Sequence, residues 1–140
     1  MAEFYVSLSD DQIASQIATL LNLYNKLYRT HTADTIKNSN SNYFVEINRN
    51  EVVGCAGMLQ ESPMMSKIYH ISVKPEVRGK GVAKKLVCLA LIHCPTEQVY
   101  MTVREDNLAS LRLAYTLGFV PLNKTWSRDH YIITVGRKRV

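Results

Sequence analysis

Arg78, Gly79, Lys80 and Gly81 place two positive side chains and two residues without a Cβ in four consecutive positions. Glycine lets the backbone curl tightly and lets a ligand approach closely. Upstream, Ile68, Ile71 and Val73 are branched and apolar and Pro75 stops further ladder pairing, so residues 67–73 are expected to form a strand. Downstream, Val82, Ala83, Leu86, Val87, Ala90 and Leu91 recur three and four apart, with Lys84 and Lys85 on the other side, as in an amphipathic helix. The first amides of such a helix are unpaired and lie at the positive end of its dipole. Strand, basic glycine loop and helix N-terminus together make an anion site, most naturally for phosphate or pyrophosphate. The plainer alternative is a tight connection that binds nothing. No Gly-Lys-Ser/Thr closes the loop, so it is not a P-loop. The third glycine and the acidic ribose partner of the dinucleotide fingerprint are missing too.

The loop resembles the Arg/Gln-x-x-Gly-x-Gly/Ala signature of the GCN5-related N-acetyltransferases (GNAT), here Arg78-x-x-Gly81-x-Ala83. The preceding Val73-x-Pro75 and the downstream Asn107 and Gly118-Phe119 also match that pattern. The resemblance covers residues 51–140 well and the N-terminal third by element order. It implies an α/β fold: one GNAT domain over residues 1–140, with a mixed, mostly antiparallel sheet flanked by helices. One parallel strand pair in it, residues 67–73 and 98–103, would splay at its carboxyl ends. It implies acetyl-CoA as co-substrate, its pyrophosphate on the amides of Gly79, Lys80, Gly81, Val82 and Ala83 beside Arg78. Pantetheine would pair with the backbone of Ile71 and Val73 in the gap, and Asn107 and Ser110 would touch pantetheine and phosphates. No metal is implied.

The chemistry implied is direct attack of a neutral amine on a thioester. That needs donors for the oxyanion, a route for the amine proton and often an acid for the leaving thiolate. The members nearest in motif, the N-terminal peptide acetyltransferases, use a Glu in a Glu-Val-Arg strand end and a Tyr four residues before the Gly-Phe pair. Here those positions hold Thr102 and Ala114. Tyr115 is one residue off register. One residue along a helix turns a side chain by about 100°, which directs Tyr115 away from the sulfur and toward the sheet or another helix. Ala114→Tyr is expected to be tolerated where the cleft has room. His70 is the nearest titratable residue to the implied thioester, as a proton relay or as a histidine paired across the sheet. These departures make peptide N-termini less favoured acceptors than a small amine. The alternative is a catalytically weak CoA-binding or nucleic-acid-associated protein on the same fold.

Composition bounds these readings. A chain of 140 residues, 46% hydrophobic and 21% charged, suits one soluble domain. No apolar run approaches the ~20 residues of a membrane span. Met1-Ala2-Glu3-Phe4 does not open a signal peptide. Cys55, Cys88 and Cys94 have no metal spacing, and their odd number fits a reduced, cytoplasmic protein. Net charge is +5, much of it in Arg137-Lys138-Arg139 and around the glycine loop. That charge is a solvated surface, a seat for CoA phosphates, or a nucleic-acid footprint such as an aminoacylated tRNA would need. Acceptor and oligomeric state are not legible.

The remaining elements follow from pattern. Residues 3–8 alternate as a short strand, and Ser9 with Gln12 forms a capping box opening a helix to about Arg29. Ile13, Ile17, Leu20, Leu21, Tyr24, Leu27 and Tyr28 are its apolar stripe, the aromatics being core or acceptor-cleft residues. A short helix is expected over residues 33–37. Strands follow at 43–47 and 52–59 around a polar hairpin turn, and again at 98–103. Asp106 or Asn107 caps a helix carrying Leu108, Leu111 and Tyr115 or Ala114 on one face, and Gly118 ends it. A strand begins at residues 119–121, residues 122–128 form a polar loop holding Trp126, and 130–135 closes the sheet.

Overall fold

The computed structural model describes residues 8–25, 27 and 29–140. Of the strand expected at residues 3–8 only Leu8 is described, in irregular backbone, and Tyr28 lies outside the described residues.

Helix α1, Asp10–Tyr24, opens on the expected capping box. The Gln12 amide donates to Ser9 Oγ at 3.1 Å and the Ser9 amide to Gln12 Oε1 at 2.8 Å. Its buried face carries Ala14, Ile17, Ala18, Leu20 and Leu21. The helix stops at Tyr24, short of the expected Arg29, because asparagine side chains tie the backbone elsewhere. Asn22 exchanges two hydrogen bonds of 2.8 Å with the backbone of His31, and Asn25, already extended, donates Nδ2 to the Ile71 carbonyl at 3.0 Å. Tyr24, expected in the apolar stripe, is exposed. Helix α2, Ala33–Asn38, follows behind a Thr32–Thr35 capping box.

Among the described residues, six strands make one sheet in the order β1-β2-β3-β4-β6-β5. They are β1 Asn42–Asn48, β2 Glu51–Gln60, β3 Met65–Val73, β4 Gln98–Arg104, β5 Val120–Ser127 and β6 His130–Lys138. The β1–β2 turn is Arg49-Asn50, with φ of 52° and 60°, the mirror-image turn that suits the strand twist. Among the described strands only β3 and β4 run parallel, joined through a 3-10 turn at Pro75–Val77 and helix α3, Val82–Ile92. Helix α4, Leu108–Thr116, joins β4 to β5. Gly118, at φ 86°, ends the α4 turn as expected.

Two clusters of buried apolar side chains lie on the two faces of the sheet. One combines Met58, Ile68, Val99, Met101 and Val135 with Val87 and Leu91 of α3 and Leu111 and Ala114 of α4. The other seats α1 and α2 on Val52 and Cys55. Gly54 brings α3 close: a Cβ there would stand 2.9 Å from Val82 Cγ1 and 3.2 Å from Leu86 Cδ1. The start of α3 is thereby fixed over β2, next to the end of β3.

The polar loop expected at residues 122–128 is instead strand β5. It is an edge strand exposed along almost its whole length, so it lacks the apolar alternation by which a half-buried strand is recognised. Pro121 fits there because an edge strand can leave an amide out of the ladder. Tyr115 departs from expectation as well. It faces solvent, while Ala114 is fully buried against the sheet.

Candidate active site

The parallel pairing of β3 with β4 lasts three residues, Met65↔Gln98, Ser66↔Val99 and Lys67↔Tyr100. Beyond it β3 runs on to Val73 and β4 to Arg104 with no further ladder between them. The splayed pair expected from the sequence is therefore present, and a gap opens toward the glycine loop.

A bulge adjoins this gap. Cys55 faces Ser72 and Gly57 faces Tyr69, so His70 and Ile71 together span the single residue Ala56 on β2. His70 takes φ of 53°, a left-handed value uncommon for a residue with a Cβ. The carbonyls of β3 at the open edge are held by side chains. Asn25 Nδ2 donates to Ile71 O, and Arg78 Nε donates to Val73 O at 2.9 Å. The Arg78 guanidinium also stands 5.3 Å from the centroid of the Tyr24 ring. Arg78 thus folds back over the mouth of the gap.

Gly79 and Gly81 both have positive φ, 78° and 80°, and a Cβ at either would meet nothing within 4 Å. Conformation, not crowding, requires glycine at both positions. Gly81 is the N-cap of α3 and supplies no side-chain hydrogen bond, so the first turn of α3 has no side-chain cap. That turn carries no acidic residue either, so no carboxylate of its own faces its amides and the positive end of the helix dipole. Lys80, Val82 and Ala83 complete the loop and the first turn. Asn107 caps α4: its Oδ1 accepts from the Ser110 amide at 3.1 Å, which sets both residues at the N-terminus of that helix.

His70 lies among aromatic side chains. Its Nδ1 is 2.8 Å from Tyr43 Oη, its ring stacks 4.0 Å from that of Tyr69, and His31 meets it edge-on at 4.9 Å. Burial, aided by the neighbouring His31 and Lys67 charges, lowers its pKa to about 4, so the imidazole is neutral at pH 7. The Tyr43 phenol is pushed up, chiefly by burial.

A cleft of about 410 Å³ includes Thr102 and Arg104 of β4, Ile132 and His130 of β6, and Arg128 and Asp129 of the β5–β6 turn in its lining. Asp129 Oδ1 accepts from His130 Nδ1 at 2.7 Å, and that bond holds the carboxyl below the usual carboxylate range. The His130 side chain is 12% exposed and that of Asp129 is 86% exposed. Sequence reasoning placed His130 only as the start of a strand. The cleft forms from residues of two antiparallel strands and a turn, a juxtaposition that no single stretch of sequence carries.

The basic C-terminal run is tied to the fold. Arg137 Nη1 donates to the carbonyl of Leu117 at the end of α4, and Arg139 Nη1 donates to the Cys94 carbonyl just past α3 at 3.1 Å. Cys55 and Cys94 are buried and none of the three cysteines forms a disulfide. Among the described residues, no helix is long and apolar enough to cross a membrane and no metal-binding group of side chains occurs.

Residues 7–119 match the model of the acetyltransferase (GNAT) family, and the chain belongs to that family. Acetyl-CoA is the co-substrate of such enzymes. The chain is 29% identical over 103 residues to the uncharacterised protein ML0378 of Mycobacterium leprae (strain TN). That match spans 71% of this chain and 24%, about a quarter, of the relative's length. Among solved structures, yncA of Salmonella typhimurium, determined with its cofactor acetyl-CoA, shares the fold at a TM-score of 0.79 and 17% identity, over 99% of this chain and 95% of that one. The smu.2055 protein of Streptococcus mutans UA159 aligns at a TM-score of 0.82 and 16% identity, over 98% and 100%. An aminoglycoside 6'-N-acetyltransferase complexed with coenzyme A aligns at 0.78 and 14%, over 99% and 96%. At these identities the shared property is the fold.

Proposed function

We propose that the protein is an N-acetyltransferase that moves an acetyl group from acetyl-CoA to a primary amine. The observation that carries this reading is the first turn of α3, uncapped and entered through two left-handed glycines, beside a strand pair that parts after three residues. The amides of Gly79 to Ala83 would take the pyrophosphate, with Lys80 adding charge. Ile71 and Val73 would offer backbone to the pantetheine arm once Asn25 and Arg78 release their carbonyls. Asn107 and Ser110 would meet the arm from the start of α4. The bound thioester supplies the acetyl group, and an acceptor amine attacking its carbonyl carbon takes it and displaces the thiol.

Two roles were open to His70. Its bond to Tyr43, its stacking on Tyr69 and its neutral state support pairing over proton relay, because an imidazole with a pKa of about 4 is a weak base at pH 7. The anchoring of Arg137 and Arg139 on helix-end carbonyls argues against reading the C-terminal charge as a nucleic-acid footprint. The test is release of CoA thiol over a panel of small amines, peptides and aminoacyl-tRNA, alongside calorimetric binding of acetyl-CoA. Saturable binding with turnover of small amines supports the reading. Absence of acetyl-CoA binding refutes it.

A further inference from the structure

The bulge on β3 decides which backbone groups enter the gap. Along an antiparallel ladder, successive residues turn amide and carbonyl to one neighbouring strand and then to the other. Before the bulge, Met65 faces β2, since its carbonyl accepts from the Glu61 amide at 2.9 Å. By alternation Lys67 and Tyr69 face β2 as well, and Ser66 and Ile68 face β4. After the bulge, the Lys74 amide donates to the Val53 carbonyl at 2.8 Å, so Lys74 and Ser72 face β2 while Ile71 and Val73 face the gap. Side chains change faces with the backbone. Ile68 and Ile71 both pack into the α3 cluster, and Ser72 Oγ donates to the Leu20 carbonyl of α1 at 3.4 Å. On an unbulged β3 the gap would receive the backbone of Ser72, and that of Ile71 and Val73 would be taken up by β2.

The residue at the switch is His70, at φ of 53°. Four neighbours hold it there. The Cys55 thiol donates to its carbonyl at 3.3 Å. Its ring stacks on Tyr69, takes the Tyr43 hydroxyl at Nδ1 and meets His31 edge-on. Tyr43 comes from β1, two strands away, and reaches His70 because Gly57 lies between them on β2. A Cβ on Gly57 would stand 3.0 Å from Tyr43 Cε1 and 3.3 Å from Tyr69 Cε1, so its absence gives both rings their places. The clamp is itself anchored. Tyr69 Oη bonds Ser41 Oγ, and His31 Nδ1 lies 3.1 Å from Thr35 Oγ1 of α2. A left-handed residue with a Cβ persists where its surroundings fix it, and here side chains from three elements do so.

We infer that His70 is a positioning residue: clamped by Tyr43, Tyr69 and His31, it fixes the bulge that turns the backbone of Ile71 and Val73 toward the pantetheine arm. The role rests on the acetyltransferase reading and extends that site to the aromatic side chains of β1 and of the α1–α2 connection. The imidazole acts through its own backbone and has no part in the transfer. What the position requires is a left-handed φ, which glycine adopts freely, asparagine readily and a β-branched residue hardly at all. That requirement separates positioning from proton transfer, because Gly and Asn meet the first and cannot perform the second.

The experiment is calorimetry with acetyl-CoA on the full chain carrying His70→Val, His70→Asn or His70→Gly, each checked for folding by circular dichroism. His70→Val should weaken binding about tenfold, and His70→Asn and His70→Gly should each recover most of that loss. Thiol release with a small amine that the parent turns over should give kcat/KM in the same order. Where His70→Val does not fold, Tyr43→Phe decides, since it removes only the phenol oxygen. It should weaken acetyl-CoA binding about threefold in the parent and leave it unmoved in the His70→Gly background, where the backbone needs no clamp. Parent-like affinity in folded His70→Val would overturn the role, as would Asn and Gly variants that bind no better than Val. So would a kcat about a hundredfold lower in the Asn and Gly variants with acetyl-CoA affinity kept, which would make the imidazole a proton relay. An equal effect of Tyr43→Phe in both backgrounds would overturn it too. Each of these leaves the acetyltransferase reading standing; a parent chain that binds no acetyl-CoA would overturn both.

Discussion

Replacing Gly81 with Glu separates the ligand role of the glycine loop from its role in the fold. The residue sits at φ of 80°, and a Cβ there meets nothing within 4 Å. The folded chain therefore has room for the new side chain, and the cost is conformational. Holding an L-residue in the left-handed region costs about 1–2 kcal/mol. A carboxylate at the N-terminus of α3 interacts favourably with the helix dipole and returns about 0.3–1 kcal/mol. The net loss is between about zero and 1.7 kcal/mol, or at most ~7 °C in Tm at ~4 °C per kcal/mol for a chain of this size. The same carboxylate occupies the space, and opposes the charge, that a pyrophosphate would take. Calorimetry with acetyl-CoA should show at least a hundredfold weaker binding, about 2.7 kcal/mol. Gly81→Ala is the control: it bears the same conformational cost without the charge, and its affinity should lie between parent and Glu variant. Parent-like affinity in Gly81→Glu, with thermal unfolding shifted only as calculated, would refute the assignment of the phosphates to this loop.

Four further outcomes follow from the same structure. Tyr115→Phe should lower turnover less than tenfold, below ~1.4 kcal/mol of barrier, because the phenol faces solvent. Its neighbour behaves oppositely: Ala114 is fully buried, so Ala114→Tyr, tolerable by sequence alone, should cost about 1–3 kcal/mol or more in chemical denaturation. Arg137→Gln should destabilise by about 1–2 kcal/mol, since it removes a charged donor from the Leu117 carbonyl, with little change in the KM for acetyl-CoA. Finally, His70 has its folded pKa lowered from 6.5 to about 4, so the unfolded chain binds more protons between those values. Stability is therefore full above about pH 6.5 and falls as pH drops toward 4, by about 1–2 kcal/mol after discounting for partial exposure. Denaturation midpoints at pH 7 and pH 5 should converge in His70→Gln relative to the parent.

How far the sequence could be read depended on whether a property was local. The glycine loop was legible because left-handed residues, a missing helix cap and a branched strand before them all lie within a dozen positions. The capping box at Ser9, the turn at Gly118 and the register that turns Tyr115 away from Ala114 were legible for the same reason. The end of α1 was not, because what stops it is distant: Asn25 bonds Ile71, and Asn22 bonds His31. Strand β5 was hidden because pairing with β6, not burial, makes it a strand, and an exposed edge writes no apolar pattern.

The active-site region shows both cases at once. The sequence singled out the glycine loop and found Thr102 where the resembled motif carries a Glu. Antiparallel pairing puts Thr102 on one face with Ile132 and His130, and the β5–β6 hairpin turn adds Arg128 and Asp129 to the same cleft. None of these residues is near Thr102 along the chain. The glycine loop could be read from one stretch because its strand end, glycines and helix start are contiguous. The cleft beside Thr102 could not be read that way, because the sheet assembles it from residues far apart in the chain.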